Sequence, residues 1–366
     1  GPQTKEEFWQ YFDEEIGIKL GRSAVCQGHS SQLDILWEIY SFQVKRVLLV
    51  LNRGGGKTSS MAWVDYLSAK FIPGFESFTI GPGMNQGQRK YEHILPFVVE
   101  GGVIGGKLKP GIERSTTTVT QWESGSKIEI ALGGGVANAN GPRTPRLHRD
   151  ETELMEDETY IHAQIIDTST MKWAGGRIDK MIKEYRASIA AGEVPSMEVR
   201  IACIFEMAAE NPSCQSVDPE VRRARLTELG RDPNELCDCH KYKRDYWEAE
   251  GDELPKPRYL NEVCSGRFFR SRGYKRFDDI ITLFQENDRQ TWNAEQECSE
   301  PAGEGVYLKA YSQIRHGIKG YDPHPENGLI YQGIDWGTTD EAVVFWAQIL
   351  SRPVEVETWQ GEKHKT

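Results

Sequence analysis

Apolar residues along this chain fall into short runs that alternate with stretches of helical spacing. After a polar, mildly amphipathic opening (3–25) that suits one or two short helices, Ser31 is a plausible N-cap. Leu33, Leu36, Trp37 and Tyr40 then recur at helical intervals. The run over 45–51 is continuously apolar from Val47 to Leu51, as in a strand covered on both faces. Met61-Ala62-Trp63-Val64 and Tyr66-Leu67 carry a helix that must end before Pro73. A second short strand is predicted over 77–80, turned by Gly81-Pro82-Gly83 into a helix near 86–99, and 101–111 is Gly-rich and loop-like. Alternation predicts strands over 116–121 and 127–132 around Ser124-Gly125-Ser126. A Gly- and Asn-rich connection follows, then a strand over 143–149 leading to Asp150-Glu151. A strand over 164–167 ends in Thr168-Ser169-Thr170, a basic helix spans 177–190, and one more strand covers 198–205. Strands alternating with helices predict an α/β fold: an open, mostly parallel sheet with helices on both faces and ligand at the carboxyl ends of the strands.

From about residue 206 the pattern changes. Pro, Asp, Glu, Arg and Cys dominate, and helical periodicity weakens until 277–284. Residues 301–328 are rich in Gly, Pro and His, as in a linker. A new strand then begins at Gly328 and runs to Ile334-Asp335-Trp336-Gly337, followed by an apolar run over 342–349. The chain therefore divides into 1–205, 206–300, 301–328 and 329–366.

The junction after the first apolar strand carries the clearest chemistry. Leu51-Asn52-Arg53-Gly54-Gly55-Gly56-Lys57-Thr58-Ser59 joins that strand to a helix. Glycines let the backbone turn sharply and aim several N–H groups at one point. Together with the positive end of the following helix they form a cradle for phosphate oxygens. Lys57 would reach the β- and γ-phosphates of ATP, and the Thr58 hydroxyl would ligate Mg²⁺. The first glycine of the usual P-loop (Walker A) pattern is replaced by Leu51. Hydrolysis needs two further groups, a carboxylate for the metal and a base for the attacking water. Asp150 and Glu151 supply these roles side by side at the end of a predicted strand. The strand leading to them, Leu147-His148-Arg149, is less apolar than such strands usually are.

Composition narrows the remaining options. The chain has 366 residues, 27% charged and 38% hydrophobic, which suits about two domains. No apolar run approaches the ~20 residues of a membrane span, and no signal-peptide pattern is present. Gly1-Pro2 in place of methionine resembles a cleavage scar. A net charge of −11 argues against binding nucleic acid through bulk charge, though a local basic lining remains open. Lys172, Arg177, Lys180, Lys183 and Arg186 could track phosphates without reading sequence, or form a solvated helix face. Seven cysteines without export signals favour reduced thiols or a metal site over a disulfide framework. Cys237-Asp238-Cys239-His240, flanked by Cys214 and Cys264, offers ligands for a structural Zn²⁺, with reduced buried cysteines as the alternative.

Four motifs in this order, Arg53-Gly54-Gly55-Gly56-Lys57-Thr58, 140–151 ending in Asp150-Glu151, Thr168-Ser169-Thr170 and Ile334-Asp335-Trp336-Gly337, resemble those of the large terminase subunits of tailed bacteriophages. The resemblance implies a RecA/ASCE-type P-loop ATPase core, a small lid subdomain over 206–300, and the start of a ribonuclease H-like nuclease at 329–366. It implies an adenine-contacting Gln32, a phosphate-sensing Arg53, a coupling role for Thr168, Ser169 and Thr170, and Arg143 as an arginine lent to a neighbouring subunit. Asp335 would be the first nuclease carboxylate. The others needed for two-metal cleavage are not supplied before Thr366, so the chain as it stands is expected not to cut DNA. The implied partners are double-stranded DNA, a portal protein ring and a small terminase subunit. The implied setting is a homo-oligomeric ring at the procapsid portal, in the cytoplasm of the infected host, with no membrane partner. A helicase-like ATPase is the competing reading; it would need a second RecA-like domain, for which 206–328 is short and weakly patterned.

Overall fold

The apolar run forms the strand β1 (Arg46–Leu51), and its alternate side chains enter two different cores. Val47, Leu49 and Leu51 face a cluster with Phe8, Leu36, Met61 and Ile94, while Leu48 and Val50 face another with Ile178, Phe205, Leu260 and Phe268. A period of two on a strand covered from both sides accounts for the unbroken hydrophobic sequence. The computed structural model describes residues 1–81, 84–131, 145–151, 163–171, 176–248, 256–287, 291–299, 318–319, 328–335, 343–350, 355–358 and 363–365.

The first unit comprises Gly1–Tyr246 and Arg258–Glu304. Its helices begin with α1 (Lys5–Gln10), capped by Thr4 and followed by a π-helical turn, and α2 (Gln32–Tyr40), capped by the Ser31 hydroxyl on Asp34 N–H. Next come α3 (Lys57–Phe71), the strand β2 (Glu76–Ile80) and α4 (Met84–Val98). Three strands follow where two were expected: β3 (Ile112–Ser115), β4 (Val119–Trp122) and β5 (Lys127–Ala131). With Ile112 its only apolar residue, β3 gives no alternation to read. β6 (Arg146–Asp150) and β7 (Gln164–Ser169) carry the acidic pair and the threonine motif. α5 (Arg177–Ala191) and β8 (Glu198–Ala202) complete the sheet.

The sheet order is β3-β4-β5-β2-β6-β7-β1-β8. The six strands from β5 to β8 are parallel, and β3 and β4 add an antiparallel edge. This mixed α/β architecture, with β7 standing between the phosphate-loop strand and the acidic strand, is consistent with a P-loop ATPase-like fold. The strand expected to reach residue 205 stops at Ala202. Cys203 caps a short helix α6 (Ile204–Met207), and the Glu206 carboxylate accepts from Cys203 N–H at 2.7 Å. This local alternative to the ladder ends the strand.

Beyond Met207 the weakly patterned stretch forms α7 (Pro219–Glu228), α8 (Leu260–Cys264), α9 (Arg267–Arg270) and α10 (Phe277–Glu286). The apolar residues of α8, α9 and α10 pack into the core that also holds Leu48 and Val50.

The second unit, Trp247–Pro257 and Gly305–Thr366, is described by its strands. Gly328–Asp335 pairs antiparallel with Val343–Leu350, with Asp335 opposite Val343 at the end of the ladder. Glu355–Thr358 pairs with both Ile318–Lys319 and Lys363–Lys365. No helix among the described residues is long and apolar enough to cross a membrane.

Candidate nucleotide site

β1 ends at Leu51, and the chain then turns tightly into α3. Gly55 N–H donates to Asn52 O at 2.8 Å. A Cβ on Gly55 would lie 2.3 Å from Asn52 Oδ1, so the turn admits no side chain there. Gly56 takes φ +75°, a left-handed conformation that glycine adopts without penalty, and serves as the N-cap of α3. The helix therefore opens at Lys57 and Thr58, and the N–H groups of its first turn lie outside the helix's own hydrogen-bond ladder. Ser59, also expected at the site, is buried, and its hydroxyl donates back to Gly56 O at 3.1 Å.

The decisive contact joins this loop to β6. Thr58 Oγ1 donates to Asp150 Oδ2 at 3.0 Å, across 92 residues of sequence. The other carboxylate oxygen, Asp150 Oδ1, accepts from Thr168 Oγ1 at 2.8 Å and from Glu151 N–H at 3.1 Å. One buried carboxylate thus ties together the phosphate loop, the acidic strand and β7. Glu151 follows at φ +55°, an uncommon conformation for a residue with a Cβ, and is half-buried.

Four of the five residues of β6 are polar or charged, and all five are buried. Arg146 donates to Asp65 at 2.9 Å, to Gln164 at 2.8 Å and to Ile39 O at 2.9 Å; Lys90 also pairs with Asp65. Burial opposes ionisation of Asp65, but the charges of Lys90 and Arg146 overcome it and lower its pKa to about 2. Arg149 forms a two-pronged pair with Asp167, its cross-strand neighbour on β7, at 2.5 and 2.7 Å. His148, opposite Ile166 in register, bonds Thr168 Oγ1 at 3.0 Å, and burial followed by the charge on Lys90 lowers it to about 4, leaving it neutral near pH 7. The polar character of this strand is a paired-charge core directly behind the acidic pair.

Gln32, expected at the adenine, is buried. Its amide nitrogen donates to Ser60 Oγ at 3.0 Å and its oxygen accepts from Gly21 N–H at 3.0 Å. Arg53 is well exposed and bonds Glu295 at 2.9 Å, and its backbone N–H donates to Glu295 O at 2.7 Å. That hydrogen bond, reinforced by the charge on Glu295, raises the Arg53 pKa. Thr168, Ser169 and Thr170 are buried, the first two within β7 and the third just beyond it. Arg143 and Lys172 lie outside the described residues. Asp335 lies in the second unit. On α5, Lys183 is engaged by Asp179 at 2.7 Å.

Several residues at the loop had no sequence signal. Lys275 Nζ lies 3.4 Å from the point a Cβ on Gly54 would occupy. Its pKa is lowered by burial and by the nearby charge of Lys57, against the pull of Asp279. Tyr274 reaches Gln32 with its hydroxyl, and Asn52 Nδ2 donates to Gln296 Oε1 at 3.3 Å. All these partners come from the stretch beyond 206.

The four cysteines singled out from the sequence also converge. The Cys214 thiol is in hydrogen-bond contact with those of Cys237, Cys239 and Cys264. Cys237 and Cys239 sulfurs are 2.9 Å apart, and all four side chains are buried.

Comparison with known proteins is sparse. No protein-family model matches the chain, and no curated protein matches it. Among solved structures, the large terminase ATPase domain of Thermus phage P74-26 is similar at a TM-score of 0.34 and 13% identity, over 47% of this chain and 81% of that one. An arginine-to-alanine mutant of the same domain gives 0.34 and 14% over the same shares.

Proposed function

We propose that this chain binds and hydrolyses ATP at the mouth of β1 and β6, and that hydrolysis drives translocation of double-stranded viral DNA into a procapsid. The single observation that carries the first half is the Thr58–Asp150 contact at 3.0 Å. It pairs a hydroxyl and a carboxylate at the opening of a glycine-built phosphate loop, the donor set that octahedral Mg²⁺ takes alongside phosphate oxygens. When bound, the metal would neutralise charge on the β- and γ-phosphates. The chain's own residues do the rest. Lys57 and the first N–H groups of α3 hold phosphate, and Glu151 takes the proton from the attacking water. Lys275 supplies a second cation over the loop, its Nζ 3.4 Å from where a Cβ on Gly54 would lie.

The second half, a large-terminase motor with its portal ring and small-subunit partners, rests on the order of the sequence motifs. The coupling role of Thr168 has local support, because its hydroxyl shares the Asp150 carboxylate with Thr58. Measuring Mg²⁺-dependent ATP hydrolysis with and without linear double-stranded DNA tests both halves. Turnover that disappears in Asp150→Ala and rises with DNA is the expected result. Turnover unaffected by Asp150→Ala removes the site, and turnover indifferent to DNA and portal removes the motor.

A further inference from the structure

Two cysteine clusters lie in the first unit, and their surroundings differ in kind. In the first, Cys26 and Cys203 sulfurs are 3.6 Å apart beside His29 and Glu206. These four residues could in composition hold a metal. Their lone pairs and charges are already used, however. Glu206 Oε1 accepts from the Val25 and Cys26 N–H groups at 3.2 and 2.9 Å, and its Oε2 accepts from Cys203 N–H at 2.7 Å and meets His29 at 3.1 Å. The Arg267 guanidinium sits 3.2 Å from Cys26 Sγ, so a fixed cation occupies the approach a metal ion would need.

The second cluster has the opposite character. Cys214, Cys237, Cys239 and Cys264 come from three separate segments, and their sulfurs face one another out of water. Backbone N–H groups point at three of them: Ser216 at Cys214, Gln215 and Cys239 at Cys237, and Phe268 at Cys264 at 3.3 Å. A neutral thiol is a weak acceptor, whereas a thiolate accepts such donors well, so the backbone is arranged for anionic sulfur. Several thiolates crowded in a buried space need a cation at their centre. Four sulfur ligands of this softness select Zn²⁺ in tetrahedral geometry.

We propose that Cys214, Cys237, Cys239 and Cys264 bind one structural Zn²⁺, and that the Cys26–Cys203 cluster binds none. The ion fastens the end of α8 to the segment after α6, and from there the chain runs through α9 to Lys275. At that end Tyr274 and Lys275 N–H groups donate to Met207 O at 2.9 and 2.8 Å, beside the phosphate loop. Zinc therefore holds the strip that sets Lys275 over Gly54.

The test is elemental analysis of the full chain purified without chelator, alongside Cys237→Ser/Cys239→Ser and Cys26→Ser/Cys203→Ser variants. About one zinc per chain is expected in the parent protein and in the Cys26/Cys203 variant, falling at least tenfold in the other. Should the Cys237/Cys239 variant fail to fold, exchange of the parent protein into cobalt(II) gives the same answer. Strong visible absorption of a tetrahedral cobalt site with intense sulfur-to-metal charge transfer supports four thiolates. Zinc below a tenth of an equivalent in the parent, metal that follows the Cys26/Cys203 pair, or a cobalt spectrum without thiolate charge transfer overturns the proposal. None of these readouts uses ATP hydrolysis, so they stand apart from the nucleotide-site reading.

Discussion

β1 and β6 lie one strand apart in the same sheet, are buried from Val47 to Leu51 and from Arg146 to Asp150, and both end at the candidate nucleotide site. They are built from opposite materials. β1 is held by apolar side chains packed into two cores. β6 is held by charged and polar side chains, each with a specific partner on another element: Arg146 on Asp65, Arg149 on Asp167, His148 on Thr168. The apolar strand needs only volume and burial from its neighbours, so many packings would satisfy it. The charged strand tolerates one arrangement, because a buried charge left without its partner cannot be relieved by repacking, whereas apolar neighbours can partly close a void. Registry is therefore strictest at the strand that presents Asp150 and Glu151, where chemistry needs it.

The largest expected effect separates what the two strand ends do. Glu151→Gln should lower ATP turnover by about 10²–10⁴-fold while leaving nucleotide affinity within a few-fold. Lys57→Ala should instead weaken binding first. Paired equilibrium-binding and steady-state measurements that show both variants losing affinity equally would erase the distinction.

The next contrast concerns stability. Asp65→Ala strands Arg146 and Lys90 in the core and should cost about 3–5 kcal/mol in chemical denaturation. Leu49→Ala on β1 should cost about 2–5 kcal/mol by cavity formation. The two losses differ in how they are repaired. Replacing Arg146 and Lys90 with apolar side chains of similar volume should recover much of the Asp65→Ala loss, whereas the same pair of replacements should do nothing for Leu49→Ala. Equal response of both backgrounds would mean that β6 is not organised by its charges.

Acid sharpens the comparison further. Asp65 and Glu206 are both held at about 2, below ordinary values of 3.8 and 4.5. A depressed folded-state pKa gives stability that is complete above the unfolded value and lost as pH falls through the folded one. Stability should thus decline between about pH 4.5 and 2, with roughly 2 kcal/mol traceable to Asp65. Asp65→Asn should flatten that part of the curve, and Leu49→Ala should leave its shape unchanged. The smallest effect is expected for Thr168→Val, about 1 kcal/mol from the lost hydroxyl contacts. A loss several times larger would make Thr168 a principal anchor of β6.

The same difference decides how much could be read from sequence. β1, its glycine turn and α3 are local patterns, and their readings agree with the structure. Asp150 next to Glu151 was equally visible, as was the cysteine group around Cys237-Asp238-Cys239 as a candidate metal site. Arg146 and Arg149, by contrast, made β6 look poorly suited to a core, because their partners lie in α3 and β7. The parallel register that sets Arg149 against Asp167 also sets Asp150 against Thr168, and only the folded sheet reveals it. Lys275, Tyr274 and Glu295 carried no motif. Their position depends on the weakly patterned stretch beyond 206 folding against the sheet.

The bond between Arg53 N–H and Glu295 O spans 242 residues. During synthesis, β1, the glycine turn and α3 leave the ribosome long before Glu295 exists. A nascent chain can therefore assemble most of the sheet while its phosphate loop still lacks the contacts that brace it. Contacts of such long sequence separation form late. The loop would become fully braced only once nearly the whole first unit has been made, so the candidate site is completed together with the fold that surrounds it.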